Sequence, residues 1–278
     1  MQFENIIYEK KEGIARITKN KPGYVFQGRS APNGMTQGMM MDVKAAVEEA
    51  ARDSEVRVII IDAAGEGFHS GAVTLQNVTE GGTPLILREV VHIGHEVYNM
   101  IENLEKPVIY KVKGGASGGG CEMGHACDFV IAAETATFSQ GEVNGGIIPG
   151  WGGTQRVPRL AGLRKGMEMI LTGDPIDGKE AERVGLITKA VPAEKVEEET
   201  WALAKKLAAK PPVALAMAKS AIRKGMQVDL RTGLAYEAEV EALCMTTEQL
   251  KEARVARTEG RTPVFKPERR VTPGQEWK

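Results

Sequence analysis

Cysteine is scarce in this 278-residue chain: Cys121, Cys127 and Cys244, at unpatterned spacing. An odd number without a repeat pattern fits a reducing compartment better than a disulfide framework, so a cytoplasmic setting is expected. Charge of one sign is lacking as well. Lysine plus arginine number 36 against 37 aspartate plus glutamate, a net −1. No nucleic acid or membrane surface is therefore expected as a partner. Long apolar runs are missing too, and none approaches the roughly 18 residues of a membrane span. The N-terminal MQFENIIYEKKEG carries acids early and no apolar segment, unlike a signal peptide. Histidine is limited to His69, His92, His95 and His125. None lies in the last half, where a serine hydrolase of the nucleophile-elbow type needs one.

What is abundant is glycine: 32 residues, above the usual ~7%. Many fall between Gly114 and Gly166. The densest stretch is Gly114–Asp128, GGASGGGCEMGHACD. It follows Pro107–Val112, an apolar run of strand length. A strand, a glycine turn and a helix start leave backbone N–H donors free at the positive end of a helix. Such a turn suits an anion or an oxyanion. Glu122, just inside it, is placed for proton transfer. The alternative is a tight turn with a solvated acid.

The rest of the chain alternates strands and helices. Asn5–Lys10 and Ile14–Lys19 read as strands, Lys19–Gly34 as a loop and Met35–Asp53 as a helix. Val56–Asp62, VRVIIID, suits a strand covered on both faces. Pro84–Glu105 is a helix, Pro107–Val112 and Asp128–Ala133 are strands, and Thr137–Pro149 is a short strand and a loop carrying Glu142. Gly152–Leu171 suggests two short helices broken near Gly162. The alternation predicts a parallel sheet. From Glu194 onward the pattern is helical: Val196–Lys210, Val213–Lys224 and Leu230–Met245, then a start at the capping-box spacing of Thr246-Thr247-Glu248-Gln249. Residues 1–195 are expected to form an α/β core with the active site, and 196–278 a helical region. Thr262–Lys278 is expected to lie extended.

Three chemistries compete. Gly115-Ala116-Ser117-Gly118-Gly119 fits G-x-S-x-G, but lacks the late histidine. Cys121, His125 and Cys127 lie close in sequence, yet Cys127 would not share the helix face of the other two, so no metal is expected. Dinucleotide and P-loop fingerprints are absent. What remains is polarisation of a carbonyl by backbone amides, with carboxylates as acid and base. A second donor can come from Phe68–Ala72, and a second acid from Glu142.

Three segments resemble the crotonase, or enoyl-CoA hydratase/isomerase, superfamily: Gly118–Leu160, Gly65–Ala72 (GEGFHSGA) and Leu171–Pro192. The likeness is closest in motif to the hydratases and extends to the C-terminal helices. It implies an α/β fold built as a spiral of ββα units, with a C-terminal helical trimerisation region and a homotrimer or a dimer of trimers. It implies an acyl-CoA substrate and no cofactor beyond the coenzyme A of that substrate. The oxyanion donors would be the N–H groups of Ala72 and Gly119. Glu122 would activate a water and Glu142 would deliver a proton, hydrating a 2-enoyl-CoA. Isomerisation, C–C or thioester hydrolysis on the same hole, and a non-catalytic RNA-binding or scaffold role, are the alternatives. Ser70, Val73, Trp151, His95 and Lys266 fall at substrate- or CoA-binding positions, with Lys21 and Arg29 as further candidate cations. Four features depart from the family pattern: an insertion in Lys19–Asn33, Val73 in place of the common Asp, the large Trp151, and His95. They point toward a cyclic or branched acyl group.

Overall fold

A computed structural model describes residues 3–26, 28–71 and 83–266. Its centre is a six-stranded sheet. The strands are β1 (Ile6–Lys11), β2 (Ile14–Lys19), β5 (Val58–Ala63), β7 (Val108–Val112), β9 (Phe129–Ala133) and β12 (Lys189–Val191), in the order β1-β2-β5-β7-β9-β12. Only β1 runs antiparallel to its neighbour; the others are parallel. All six residues of β5 are buried, as its unbroken apolar run predicts. Each such Val or Ile contributes about 1.5–3 kcal/mol by leaving water.

Of a second sheet the residue pattern shows only the short strand at Thr137; the family resemblance implies the rest through its ββα units. The sheet comprises β6 (Phe68–His69), β8 (Gly115–Ser117), β10 (Thr137–Ser139) and β11 (Ile176–Asp177), in the order β11-β10-β8-β6. Its strands are two or three residues long, too short to display a period. They nonetheless set the architecture. Each of β5, β7 and β9 runs into a short strand of this sheet and then toward a helix: α2 (Pro84–Asn103), α3 (Gly119–Ala126) or α4 (Gly153–Ala161). These are three successive ββα turns. In the parallel register Phe68 faces Gly115, which faces Thr137, while His69 faces Ala116, which faces Phe138. The chain therefore leaves β6, β8 and β10 at one common edge. Residues 70–71, 118–119 and 140–142 meet there.

Helix α1 (Gln37–Arg52) starts at Thr36, whose side chain accepts from Met39 N–H, and buries Met39, Met40, Val43, Ala46, Val47 and Ala50. Such a cap is worth about 1 kcal/mol. The expected loop before it contains a small hairpin, β3 (Val25–Phe26) with β4 (Arg29–Ser30). Between hairpin and helix stands Asn33, fully buried at φ 54, a conformation asparagine tolerates better than most residues. Its amide nitrogen donates to the carbonyls of Ala64 and Phe68, and its oxygen accepts from Lys21 N–H. Ser70 N–H donates to Pro32 O, and Met35 N–H to Gly71 O. This short segment thus holds the strand end that leads to residue 71. Asn33→Ala would strand three part-buried backbone groups and put alanine at positive φ. A loss of about 2–4 kcal/mol is expected in urea unfolding; a loss below 1 kcal/mol would contradict the clamp.

After β10 come α5 (Leu163–Thr172), α6 (Gly178–Arg183) and α7 (Val196–Ala208). Helix α7 lies on the large sheet, burying Val196, Thr200 and Ala204, and its Glu197 accepts from Arg16 and Lys111. Helices α8 (Pro212–Gly225), α9 (Leu230–Met245) and α10 (Glu248–Glu259) follow. Thr247, not Thr246, caps α10 by accepting from Leu250 N–H. Gln249 reaches instead to Val213 N–H, so the expected capping box does not close. No described helix is long and apolar enough to cross a membrane.

Candidate active site

The glycine turn ends β8 and opens α3. Gly118, the N-cap, sits at φ 49, and a Cβ there would stand 2.7 Å from Glu142 Oε1. Gly119 is the first helical residue, so its N–H has no intrahelical acceptor. Gly71 packs beside it: a Cβ on Gly71 would lie 3.2 Å from Gly119 N. Gly120 approaches the other wall more closely. A Cβ there would stand 2.1 Å from the His69 carbonyl oxygen. Two buried phenols fix the turn from behind. Tyr98 donates to Gly119 O at 2.6 Å and Tyr110 to Gly120 O at 2.7 Å. Burial pushes both phenols well above their ordinary range, so they remain donors.

Glu122 is on the first turn of α3, with 2% of its surface exposed. Its Oε1 accepts from the N–H groups of Trp151 and Gly153, at 2.8 and 2.7 Å. Burial raises its pKa to about 7, with the Glu142 charge adding to the rise. The two N–H donors and Arg156 oppose that rise without cancelling it. Glu142 begins a 3₁₀ turn, Glu142–Gly145. Burial raises its pKa too, and its Oε2 is buried with no partner among the described residues. Burial thus raises both acids, and Glu122 also feels the charge of Glu142. The carboxylates, the Gly119 N–H, without an acceptor among the described residues, and the end of β6 thus converge at the edge of the small sheet.

Trp151 is buried, with its ring edge-on to Tyr98 at 5.8 Å. It lies over Gly94 of α2, where a Cβ would be 2.2 Å from the indole. Its main chain serves Glu122 while its side chain fills the space between α2 and the site. Ser70 is buried and bound through its backbone to Pro32. His95 is half-buried on α2 with its ring edge-on to His92 at 6.0 Å; among the described residues no hydrogen bond joins either ring to Glu122 or Glu142. Lys266 is exposed at the end of the described chain, in the field of Glu252 rather than of the acid pair. Lys21 approaches Glu4 at 3.9 Å, and Arg29 is exposed in the hairpin. Ala72 and Val73, the expected second donor and its neighbour, lie outside the described residues.

The rival chemistries find no geometry. Ser117 belongs to β8, and no hydrogen bond joins it to a histidine among the described residues. Cys127 directs its thiol to Met123 O, away from the Cys121–His125 contact at 3.5 Å. Burial lowers the His125 pKa to about 3 and raises both thiols. That pair is neutral. Among the described residues no group of three or more His, Cys, Asp or Glu could hold a metal ion.

Several contributors carry no side-chain signal in the sequence. The donors to Glu122 are backbone amides, and the phenols of Tyr98 and Tyr110 read as ordinary core aromatics.

Residues 9–268 match the family model described as Enoyl-CoA hydratase/isomerase. The chain is 38% identical over 268 residues to a crotonyl-CoA hydratase of Syntrophomonas wolfei, covering 95% of this chain and 99% of the relative. It is 37% identical to a short-chain-enoyl-CoA hydratase of Clostridium acetobutylicum, covering 94% and 97%. The crystal structure of an enoyl-CoA hydratase from Bacillus anthracis superposes with a TM-score of 0.85 at 34% identity, covering 95% of this chain and all of that one. With its ββα spiral, its glycine turn and its buried acid, the chain belongs to the enoyl-CoA hydratase/isomerase family.

Proposed function

We propose that this protein adds water across the double bond of a 2-enoyl-CoA, giving a 3-hydroxyacyl-CoA, and runs the reverse reaction as concentrations dictate. The observation that carries this is the buried Glu122, tied to two backbone N–H groups and coupled to Glu142 beside a glycine turn. The thioester oxygen sits at Gly119 N–H, with Ala72 N–H as the second donor. A water lies between the acids. Glu122 takes a proton from it as its oxygen bonds to Cβ. The electron pair of the C=C bond passes to Cα and the thioester oxygen, where the two N–H groups stabilise the enolate. Glu142 then gives its proton to Cα. The pair ends with its one proton moved from Glu142 to Glu122, and exchange with solvent restores it. Each oxyanion donor of this kind contributes about 3–4 kcal/mol to the transition state.

No cofactor enters this scheme beyond the coenzyme A of the substrate. The names of the two relatives, a crotonyl-CoA and a short-chain-enoyl-CoA hydratase, support a short acyl group. Trp151 is packed against Gly94 and Tyr98, so its bulk is absorbed by the fold and does not by itself argue for a cyclic or branched one. Helices α8 and α9 and the turn between them expose Ile222, Met226, Leu230, Leu234 and Leu243, which supports a homotrimer or a dimer of trimers built on the region beyond residue 195. Three free cysteines fit a cytoplasmic setting.

The test is a panel of short, branched and cyclic 2-enoyl-CoAs. Loss of the enoyl-thioester absorbance and a product heavier by one water are expected, most rapidly on the shortest unbranched member. An isomer of unchanged mass, or free CoA, as the sole product would replace hydration by another reaction on the same hole.

A further inference from the structure

The loop that supports Glu122 is Gly150-Trp151-Gly152-Gly153. Three glycines in four residues give it little intrinsic reason to hold one shape. Both N–H groups on Glu122 nevertheless come from it. Something outside the loop has to fix it, and that is the side chain of Arg156, one turn along α4.

The guanidinium folds back over the loop. Nη1 donates to Trp151 O at 3.2 Å. Gly152 has φ 115, and a Cβ there would stand 2.1 Å from Nη1, so the main chain passes beneath the guanidinium only because residue 152 has no side chain. The fork is itself anchored. Nε and Nη2 donate to Glu102 Oε2 at 3.1 and 2.5 Å, and Nη2 to Asn99 Oδ1 at 2.8 Å. The other oxygen of Glu102 accepts from Arg223 Nη1 at 2.8 Å. Arg223 comes from α8, and its Nη2 also donates to Cys127 O, just past the end of the helix that carries Glu122. Arg156 exposes 12% of its side chain and Glu102 19%, so the contact is shielded from water. An exposed pair would be worth little; a planar fork in a shielded site fixes geometry as well as charge.

We infer that Arg156 is a positioning residue for Glu122, moulding the Trp151–Gly153 turn onto the carboxylate, with Glu102 and the C-terminal-helix residue Arg223 as its anchors. It touches neither the proposed water nor the thioester. The titratable groups in the field of Glu122 are Glu142 from the 3₁₀ turn, Tyr98 from α2, Cys121 from its own helix, and Arg156 from α4. Of these Arg156 is charged throughout, and Glu142 only once it has given up its proton. The inference rests on the proposed hydration for its kinetic readout, but not for its spectroscopic one.

Two variants divide the two effects. Arg156→Met removes charge and fork together. Arg156→Lys keeps the charge and loses the fork. The Glu122 carboxyl is followed by infrared difference titration, with Glu122→Gln as the blank. In Arg156→Met its midpoint is expected to rise by roughly one pH unit, as for loss of a nearby opposite charge. Its kcat on the best enoyl-CoA is expected to fall about 10–100-fold, the scale of a small misplacement, with KM nearly unchanged. Arg156→Lys is expected to restore the midpoint but not kcat. Should Arg156→Met fail to fold, Glu102→Gln decides: it leaves the arginine charge unanchored, and kcat is expected to fall about tenfold while the midpoint stays. Native kcat in the folded arginine variants, or in Glu102→Gln, would overturn the inference, as would a midpoint in Arg156→Met equal to the native one. A wild-type protein inactive on every enoyl-CoA defeats the hydration reading instead, and the infrared midpoints then decide the role of Arg156 on their own.

Discussion

Glu122→Gln is expected to lower kcat by about 10²–10⁴-fold, the range for loss of a general acid or base, and to make the protein more stable at alkaline pH. The first effect follows from the proton that the carboxylate takes from water and an amide does not. The second follows from burial. The pKa of Glu122 is raised from 4.5 to about 7 in the fold. Between those values the folded chain keeps a proton that the unfolded chain has released. Stability therefore falls as pH rises from about 4.5 to about 7, and stays lower above. The cost is on the order of 3 kcal/mol at most, at 1.36 kcal/mol per unit. Glutamine escapes it, because its carbonyl oxygen can still accept from Trp151 and Gly153 N–H while nothing ionises. Thermal melts of the two proteins at pH 5 and pH 8 check this. The advantage of the variant should be several degrees at pH 8 and much smaller at pH 5. Equal advantages at both would show that Glu122 is not held against its own ionisation. Glu142→Gln should match the loss of kcat. If both variants retain full hydration, the two-acid mechanism is wrong.

Gly120→Ala is expected to cost about 4 kcal/mol or more, at the extreme end for a single substitution. The added methyl would meet the His69 carbonyl oxygen at 2.1 Å, its carbon at 2.6 Å and the Ser70 carbonyl oxygen at 2.8 Å. All three are backbone atoms, so no rotamer change relieves the overlap. The opposite side offers no retreat, since Tyr110 holds Gly120 O. Relief requires α3 and the end of β6 to part, which separates Gly119 from residues 70–71 and opens the oxyanion site. Activity and stability should be lost together. Gly23→Ala is the control, with nothing within 4 Å of its added Cβ; it should stay within about 0.5 kcal/mol of wild type. A soluble, active Gly120→Ala with a native melting temperature would mean that the two elements are not pressed together as described.

These two cases also mark what the sequence could and could not disclose. The long strands were legible because burial on both faces leaves an apolar run, as in Val58–Ile61. Glu122 stood out because a carboxylate beside three glycines is unusual. Beyond the short strand at Thr137 the small sheet was not legible from residue pattern, since strands such as Phe68–His69 are shorter than any hydrophobic period. Yet that sheet aligns Gly71, Gly119 and Glu142. The supports of Glu122 were hidden for a different reason. Main-chain donors at Trp151 and Gly153 leave no trace in residue type, and Arg156 reads as one more surface cation until Gly152 is seen to make room for it. Asn33 looked like loop material, and its three backbone partners are scattered over some 47 positions of chain, from Lys21 to Phe68. The helix pattern beyond residue 195 was plain from periodicity and from Pro211-Pro212, though α7 spends its apolar face on the large sheet.

The Lys21–Asn33 contact has one more consequence. Lys21 N–H donates to Asn33 Oδ1, and Asn33 N–H returns to Lys21 O, at 2.9 Å each. The hairpin of Val25–Ser30 is strung between these two residues. It is a closed excursion whose ends are tied before any strain reaches Gly71. Loop closure charges only about 0.6 kcal/mol for each doubling of length. The segment can therefore grow, shrink or accept grafted sequence while the clamp stays intact. The hairpin is thus a handle for grafting sequence without disturbing the clamp.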